Sequence, residues 1–203
     1  MFAENLPMHS ATRDSLFNDR PLQKVHLNSM NPPQGGKAKG YNSNMMTNRV
    51  FIHGLESSSR GNKGTYFRER YPDMIIEDYP GSLDSRMEKL RGILSDKKDL
   101  VLVGSSYGGL MAAMYVCDNE DRIKRLILLA PALNLEEFKP YLNRRIEVPV
   151  ILYHGSLDDV VPLKPVHGIA SKVFTNLSHR VVNDDHPLSK TFDSLNWINL
   201  LGD

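Results

Sequence analysis

The stretch Leu100-Val-Leu-Val-Gly-Ser-Ser-Tyr-Gly-Gly-Leu110 changes its pattern at Gly104. Its first four residues are continuously aliphatic, as suits a strand covered on both faces. After the glycine, Leu110, Met111, Met114, Tyr115 and Cys117 take the spacing of a helix. Between the two lies Gly104-Ser105-Ser106-Tyr107-Gly108, a G-x-S-x-G motif. A serine that must stand clear of a strand end needs a sharp, strained turn into the next helix. Glycines two before and two after remove side chains that would collide across that turn. Ser106 is therefore the candidate nucleophile, and the Tyr107 N–H is expected to face a carbonyl bound there. Ser105 does not fit the spacing. A dinucleotide-binding G-x-G-x-x-G loop is excluded because residue 106 is Ser.

The same strand-then-helix alternation extends outward from this turn. Residues 49–53, 74–79, 125–130, 148–153 and 179–182 are further short apolar runs, each ended by Gly, Pro or Asn. Helical patterns separate several of them: Leu83 to Leu94 behind a Ser82 cap, and Val166 to Val173. A last helix is expected over Leu195–Leu201, and one short helix over Leu135–Leu142. Repeated β-α units predict an α/β fold with a mostly parallel sheet of about six strands and helices on both faces. Residues 131–147, where a lid would sit, are too few for a cap domain.

In a parallel sheet every strand's carboxyl end reaches the same edge, where ligands bind. Two more strand ends carry polar groups suited to Ser106. One is His154-Gly-Ser-Leu-Asp158-Asp159-Val-Val-Pro162, the other Asn183-Asp-Asp-His186-Pro-Leu188. A nucleophilic serine needs a base, and the base needs an orienting acid. Ser106, Asp158 and His186 would converge at that edge in the order Ser…Asp…His. His53 and His154 precede glycines at strand ends and are expected to hold loops by hydrogen bonds. Asp185 is expected to be an ordinary turn residue beside His186. Cys117 falls on an apolar helix face and reads as core.

Residues 49–203 resemble the α/β-hydrolase superfamily through F-I-H-G-L, V-G-S-S-Y-G-G, H-G-S-L-D-D-V-V-P and D-D-H-P-L. They are closest in pattern to its small, cap-less, bacterial serine-esterase-like members. The resemblance implies a three-layer α/β-hydrolase fold without a cap. It makes Asp158, three residues after Gly155, the acid, and leaves Asp159 a solvated or capping residue. It also implies that the Leu55 N–H joins the Tyr107 N–H in an oxyanion hole. The expected activity is hydrolysis of small carboxylic esters or thioesters through an acyl-enzyme on Ser106, without a cofactor. Alternatives are an aminopeptidase or amidase of the same fold, or a silent binding module on it. The first two antiparallel strands of the larger fold have no clear counterpart, unless residues 1–48 supply them.

Composition sets the remaining bounds. With 25 Lys+Arg against 24 Asp+Glu, the net charge is +1, which does not suit a nucleic-acid binder. A single cysteine excludes an intramolecular disulfide framework and a cysteine-based zinc site. No H-x-x-x-H or similar spacing suggests a metal site. No apolar run is long enough to span a membrane, and the N-terminus lacks a signal-peptide core, so a cytoplasmic location is expected. Residues 1–48 carry few branched aliphatic or Phe side chains among several Pro, Gly and Asn. They are expected to be a disordered extension to an α/β-hydrolase domain over 49–203. The Met45-Met46 pair suggests that translation could start just before the domain. The composition leaves the oligomeric state open.

Overall fold

Among the described residues six strands pair side by side, and each of these pairings is parallel. They are β1 (Asn48–Ile52), β2 (Ile75–Ile76), β3 (Leu100–Ser105), β4 (Ile123–Leu129), β5 (Val150–Gly155) and β6 (Leu177–Val182). The order across the sheet is β2-β1-β3-β4-β5-β6. This computed structural model describes residues 47–202. The expectation of disorder over 1–48, that of a strand from this region and the Met45-Met46 start therefore fall almost wholly outside the described residues.

The parity of each strand sorts its side chains between two helical layers. Leu100 and Leu102 of β3, with Leu126 and Leu128 of β4, join the core that includes α2 (Leu83–Ile93), α3 (Tyr107–Asp118) and α4 (Leu163–Val173). Val101 and Val103, with Ile127 and Leu129, join the opposite core. That second core includes α1 (Asn62–Arg70) and α5 (Trp197–Leu201). Both faces of the central strands are thus covered, which is why their sequence is continuous rather than alternating. Helix α3 is buried from Gly108 to Cys117. Burial of each large aliphatic side chain in such a layer stabilises the fold by about 1.5–3 kcal/mol.

Several elements differ from the sequence expectation. Of the run 74–79, only Ile75 and Ile76 pair with β1. The polar stretch Glu56–Gly64 shows no apolar period, yet α1 begins within it at Asn62. Its one fully buried large side chain, Phe67, packs edge-on against Trp197 and Phe192, with ring centres 4.7 and 5.5 Å away. Residues 136–141 form a 3-10 segment rather than an α-helix, with Pro140 inside it. Proline lacks the N–H and cannot sit in an α-helix interior without losing a bond. The last helix begins at Trp197, after a separate 3-10 turn over Phe192–Ser194. Among the described residues no cap domain stands over the sheet.

The strand order reverses between β1 and β3. From β1 the chain first adds β2 on one side, then crosses back to build β3 to β6 on the other. Connections after β1 and β3 diverge there, and such a switch point opens a crevice at the carboxyl edge.

Candidate active site

Ser106 caps the amino end of α3 with φ 55° and ψ −118°. A residue with a Cβ rarely takes this backbone region, and strain of about 1–3 kcal/mol is held only where the surroundings enforce it. The enforcement is visible on both sides of the turn. Ser106 N–H donates to Leu129 O at 2.9 Å. Its carbonyl accepts from Gly109, Leu110 and Ala132 N–H groups at 2.9, 3.2 and 3.1 Å. A Cβ at Gly104 would meet Gly108 O at 2.6 Å and Gly109 Cα at 2.7 Å. At Gly108 it would run into the carbonyls of Ile52 and His53. The two motif glycines therefore let α3 press against the ends of β1 and β3, lifting Ser106 to the sheet edge.

His186 Nε2 lies 3.0 Å from Ser106 Oγ, and His186 Nδ1 lies 2.8 Å from Asp158 Oδ2. The Asp158 side chain is fully buried, while Asp159 is exposed. Asp158 Oδ1 accepts the Val160 and Val161 N–H groups at 3.0 and 2.8 Å, so the turn after β5 folds around its own carboxylate. With Asp158 accepting at Nδ1, His186 carries its hydrogen there and turns a bare Nε2 toward the serine hydroxyl. Such a chain can take a proton from the hydroxyl as it attacks an electrophilic carbon, and can hold the resulting imidazolium beside a carboxylate.

The loop bearing His186 is organised by Asp184, which no spacing or motif singles out. Asp184 is buried. Its Oδ1 accepts the Asp185 N–H at 2.9 Å, and its Oδ2 accepts those of Lys190 and Thr191 at 3.0 and 2.8 Å. Burial opposes its ionisation, but hydrogen bonds from the Thr191 side chain and the three N–H groups override it and pull the carboxyl down to about 2. The Asp184 carbonyl also accepts the Leu157 N–H at 3.0 Å, tying this loop to the Asp158 turn. Asp185 has the smaller role expected of it, accepting from the Ser189 N–H and hydroxyl at 3.0 and 2.9 Å. Leu188 is fully buried at φ 58°, a second anchor of the same loop. Lys63 of α1 donates to Pro187 O at 2.6 Å. Burial lowers the Lys63 pKa, against the pull of Asp185, Asp184 and Asp193.

His53 holds the opposite wall. Its Nε2 accepts the Tyr79 N–H at 3.3 Å, so its Nδ1 carries the hydrogen and donates to Gly54 O at 2.7 Å. The Gly54 carbonyl shares a planar trans peptide with the Leu55 N–H, which must point the opposite way. The Tyr107 N–H is the first of the helix-start donors that have no intrahelical partner, and α3 directs the positive end of its dipole to the same place.

Leu55, Tyr107, Ser106 and His186 all line one cavity of about 640 Å³, a size that suits a small organic ligand. Ala132, Leu135, Val160 and Val161 give it an apolar side. Glu56, Ser57, Asn62 and Lys63 give it a polar rim. Arg144 and Arg145 do not line it; the Arg144 guanidinium donates to Cys117 O. Among the described residues no group of three or more His, Cys, Asp or Glu could hold a metal ion. No helix among them is long and apolar enough to cross a membrane.

A family model described as the alpha/beta hydrolase fold matches residues 54–142. Among solved structures, a CIB-like hydrolase from Thermoplasma acidophilum superposes with a TM-score of 0.62 at 22% identity, over 79% of this chain and 87% of that one. A monoacylglycerol lipase from Paleococcus ferrophilus gives 0.59 at 16% identity, over 75% and 93%. An esterase from Pyrococcus furiosus gives 0.59 at 18% identity, over 77% and 81%. No protein of curated function matches the sequence. At these identities the likeness is one of fold.

Proposed function

We propose that this chain, which has the α/β-hydrolase fold, is a serine hydrolase that cleaves small carboxylic esters or thioesters. The observation that carries the reading is the hydrogen-bonded chain Asp158–His186–Ser106, with links of 2.8 and 3.0 Å, ending on a serine held at positive φ. In this reading His186 Nε2 takes the Ser106 proton as Oγ bonds to the acyl carbon. The tetrahedral oxyanion rests on the Tyr107 and Leu55 N–H groups, and Asp158 stabilises the imidazolium. His186 then gives its proton to the leaving alcohol or thiol as that bond breaks. Water, deprotonated by His186, attacks the acyl-enzyme, releasing the acid and restoring Ser106. The esterase and lipase among the structural neighbours support ester chemistry over the amidase alternative.

The cavity, over which no cap stands among the described residues, favours short or medium acyl groups lying against Leu135, Val160 and Val161. The test is a series of p-nitrophenyl esters and acyl thioesters of rising chain length. Ser106→Ala should lower kcat by about 10⁴–10⁶-fold, with His186→Ala in the same range. Asp158→Asn should cost about 10³–10⁴-fold. Asp159→Asn should stay near the parent rate. Hydrolysis that survives Ser106→Ala, or an Asp159→Asn loss exceeding that of Asp158→Asn, overturns the assignment.

A further inference from the structure

Asp158 accepts more hydrogen bonds than orienting one histidine requires. Beyond the two backbone N–H groups on Oδ1 and His186 on Oδ2, a second imidazole reaches it. His154 Nε2 lies 3.1 Å from the same Oδ2, and neither side chain is exposed at all. The same Nε2 lies 3.0 Å from the carbonyl of Val161. Val161 O is an acceptor, so Nε2 carries a hydrogen and donates it to that carbonyl, with the carboxylate oxygen lying alongside at 3.1 Å. The other ring nitrogen, Nδ1, is buried without a hydrogen-bond partner. An unpartnered polar atom in a core costs free energy, and a leucine would fill the space without it. What the imidazole adds is a buried N–H that ties down Val161 O and lies 3.1 Å from the Asp158 carboxylate.

We propose that His154 is a positioning residue for the reaction, its Nε2 packed 3.1 Å from the Asp158 Oδ2 that His186 bonds. The proposal rests on the serine-hydrolase reading above. With His154 present, Oδ1 accepts two backbone N–H groups and Oδ2 accepts His186 with a second imidazole packed 3.1 Å away, which resists rotation of the carboxylate plane. The His186 ring then keeps the tilt that points its Nε2 at Ser106. The adjacent N–H also holds the negative charge on Asp158 as His186 becomes an imidazolium, so that the proton stays on the ring until the leaving group takes it. His154 touches neither substrate nor Ser106. Its loss should therefore act on the chemical step and not on binding.

Three variants and one spectroscopic measurement test this. His154→Leu keeps an apolar fill and removes the donor. It should lower kcat about 10–100-fold, the range of one charge-assisted hydrogen bond, and leave KM within about twofold. His154→Gln can place its amide nitrogen where the imidazole Nε2 stood and should recover most of kcat, whereas the shorter His154→Asn should not. A purely structural role would lower the melting temperature of all three without this ranking. Parent-level kcat in His154→Leu, or a glutamine variant as damaged as the leucine one, overturns the proposal. If His154→Leu does not fold, ¹⁵N-edited NMR of the parent protein decides instead. The expected result is a hydrogen on His154 Nε2, and a ring protonated only at Nδ1 refutes the proposal. Labelling of Ser106 by a fluorophosphonate separates the two levels. A labelled enzyme indifferent to His154→Leu sinks only this proposal, whereas an unlabelled parent sinks the hydrolase reading beneath it.

Discussion

Asp184→Asn should destabilise the protein by an amount that depends on pH in a stated direction. In the parent, three backbone N–H groups converge on the two carboxylate oxygens of this buried side chain. An asparagine has one acceptor oxygen. If that oxygen meets the Lys190 and Thr191 pair, its NH₂ faces the Asp185 N–H; if it is flipped, the NH₂ faces the pair. Either way a buried donor is left facing a donor, at about 1–3 kcal/mol. The lowered pKa gives a second figure for the same hydrogen bonds. The carboxyl falls from 3.8 to about 2 on folding, and a fall of about 1.8 at 1.36 kcal/mol per pH unit is about 2.5 kcal/mol. Because the folded value lies below the unfolded one, this stability is fully present above about pH 4 and is lost as pH falls toward 2. Urea denaturation of both proteins at pH 7, 5, 4 and 3 is the assay. A parent-minus-variant gap of about 2–3 kcal/mol is expected at pH 7, which for a domain of this size is about 5–10 °C in Tm. The gap should shrink by about 1 kcal/mol by pH 3. A gap that stays constant over this range would refute the claim that the ionised carboxylate holds the His186 loop.

Two further perturbations follow from packing. Gly108→Ala places a methyl group against the Ile52 and His53 carbonyls, so α3 must shift away from β1. Stability should fall by about 1–3 kcal/mol, as for other overpacked core positions, and ester hydrolysis should fall with it, checked by melting and by rate; a variant with parent Tm and rate contradicts the close approach. Cys117 is buried, and burial pushes its thiol up to about 12. Iodoacetamide at pH 8 should therefore leave the native protein unmodified and alkylate one thiol after unfolding in urea, whereas rapid native labelling, read by intact mass, would count against the core placement.

The parts of the fold that could be read from sequence were those where one physical effect dominates. Leu100–Val103 is aliphatic because both faces are covered, and the G-x-S-x-G turn after it is glycine-rich because α3 presses on two strand ends. Ser82 was readable as a cap because its hydroxyl meets the Ser85 N–H. Other parts failed for physical reasons. Helix α1 buries only Gly64 and Phe67, so its nine residues show no apolar period. Its docking rests on an aromatic cluster with Phe192 and Trp197, more than a hundred residues away in sequence. The apolar pattern over Leu135–Leu142 is that of a helix, but Pro140 interrupts the α-helical hydrogen-bond ladder and residues 136–141 form a short 3-10 segment.

At the site, Ser106, Asp158 and His186 each sit at the end of a recognisable strand, so the sheet's edge rule predicts that they approach one another. Asp184 was not separable from Asp185 by chemistry, since adjacent carboxylates in one loop differ only in which is buried. His154 could be placed as a loop-holding residue. That its ring also comes within 3.1 Å of the oxygen His186 bonds depends on how the turn through Val161 closes, which spacing alone does not convey.

The central claim is that Ser106 is an activated nucleophile. Treating the full chain with a fluorophosphonate and mapping the adduct by peptide mass spectrometry tests it most directly. The account predicts a single phosphonyl adduct on Ser106, none on Ser105, and loss of labelling in Ser106→Ala and His186→Ala. A folded protein that stays unlabelled, or is labelled equally well without His186, would contradict it.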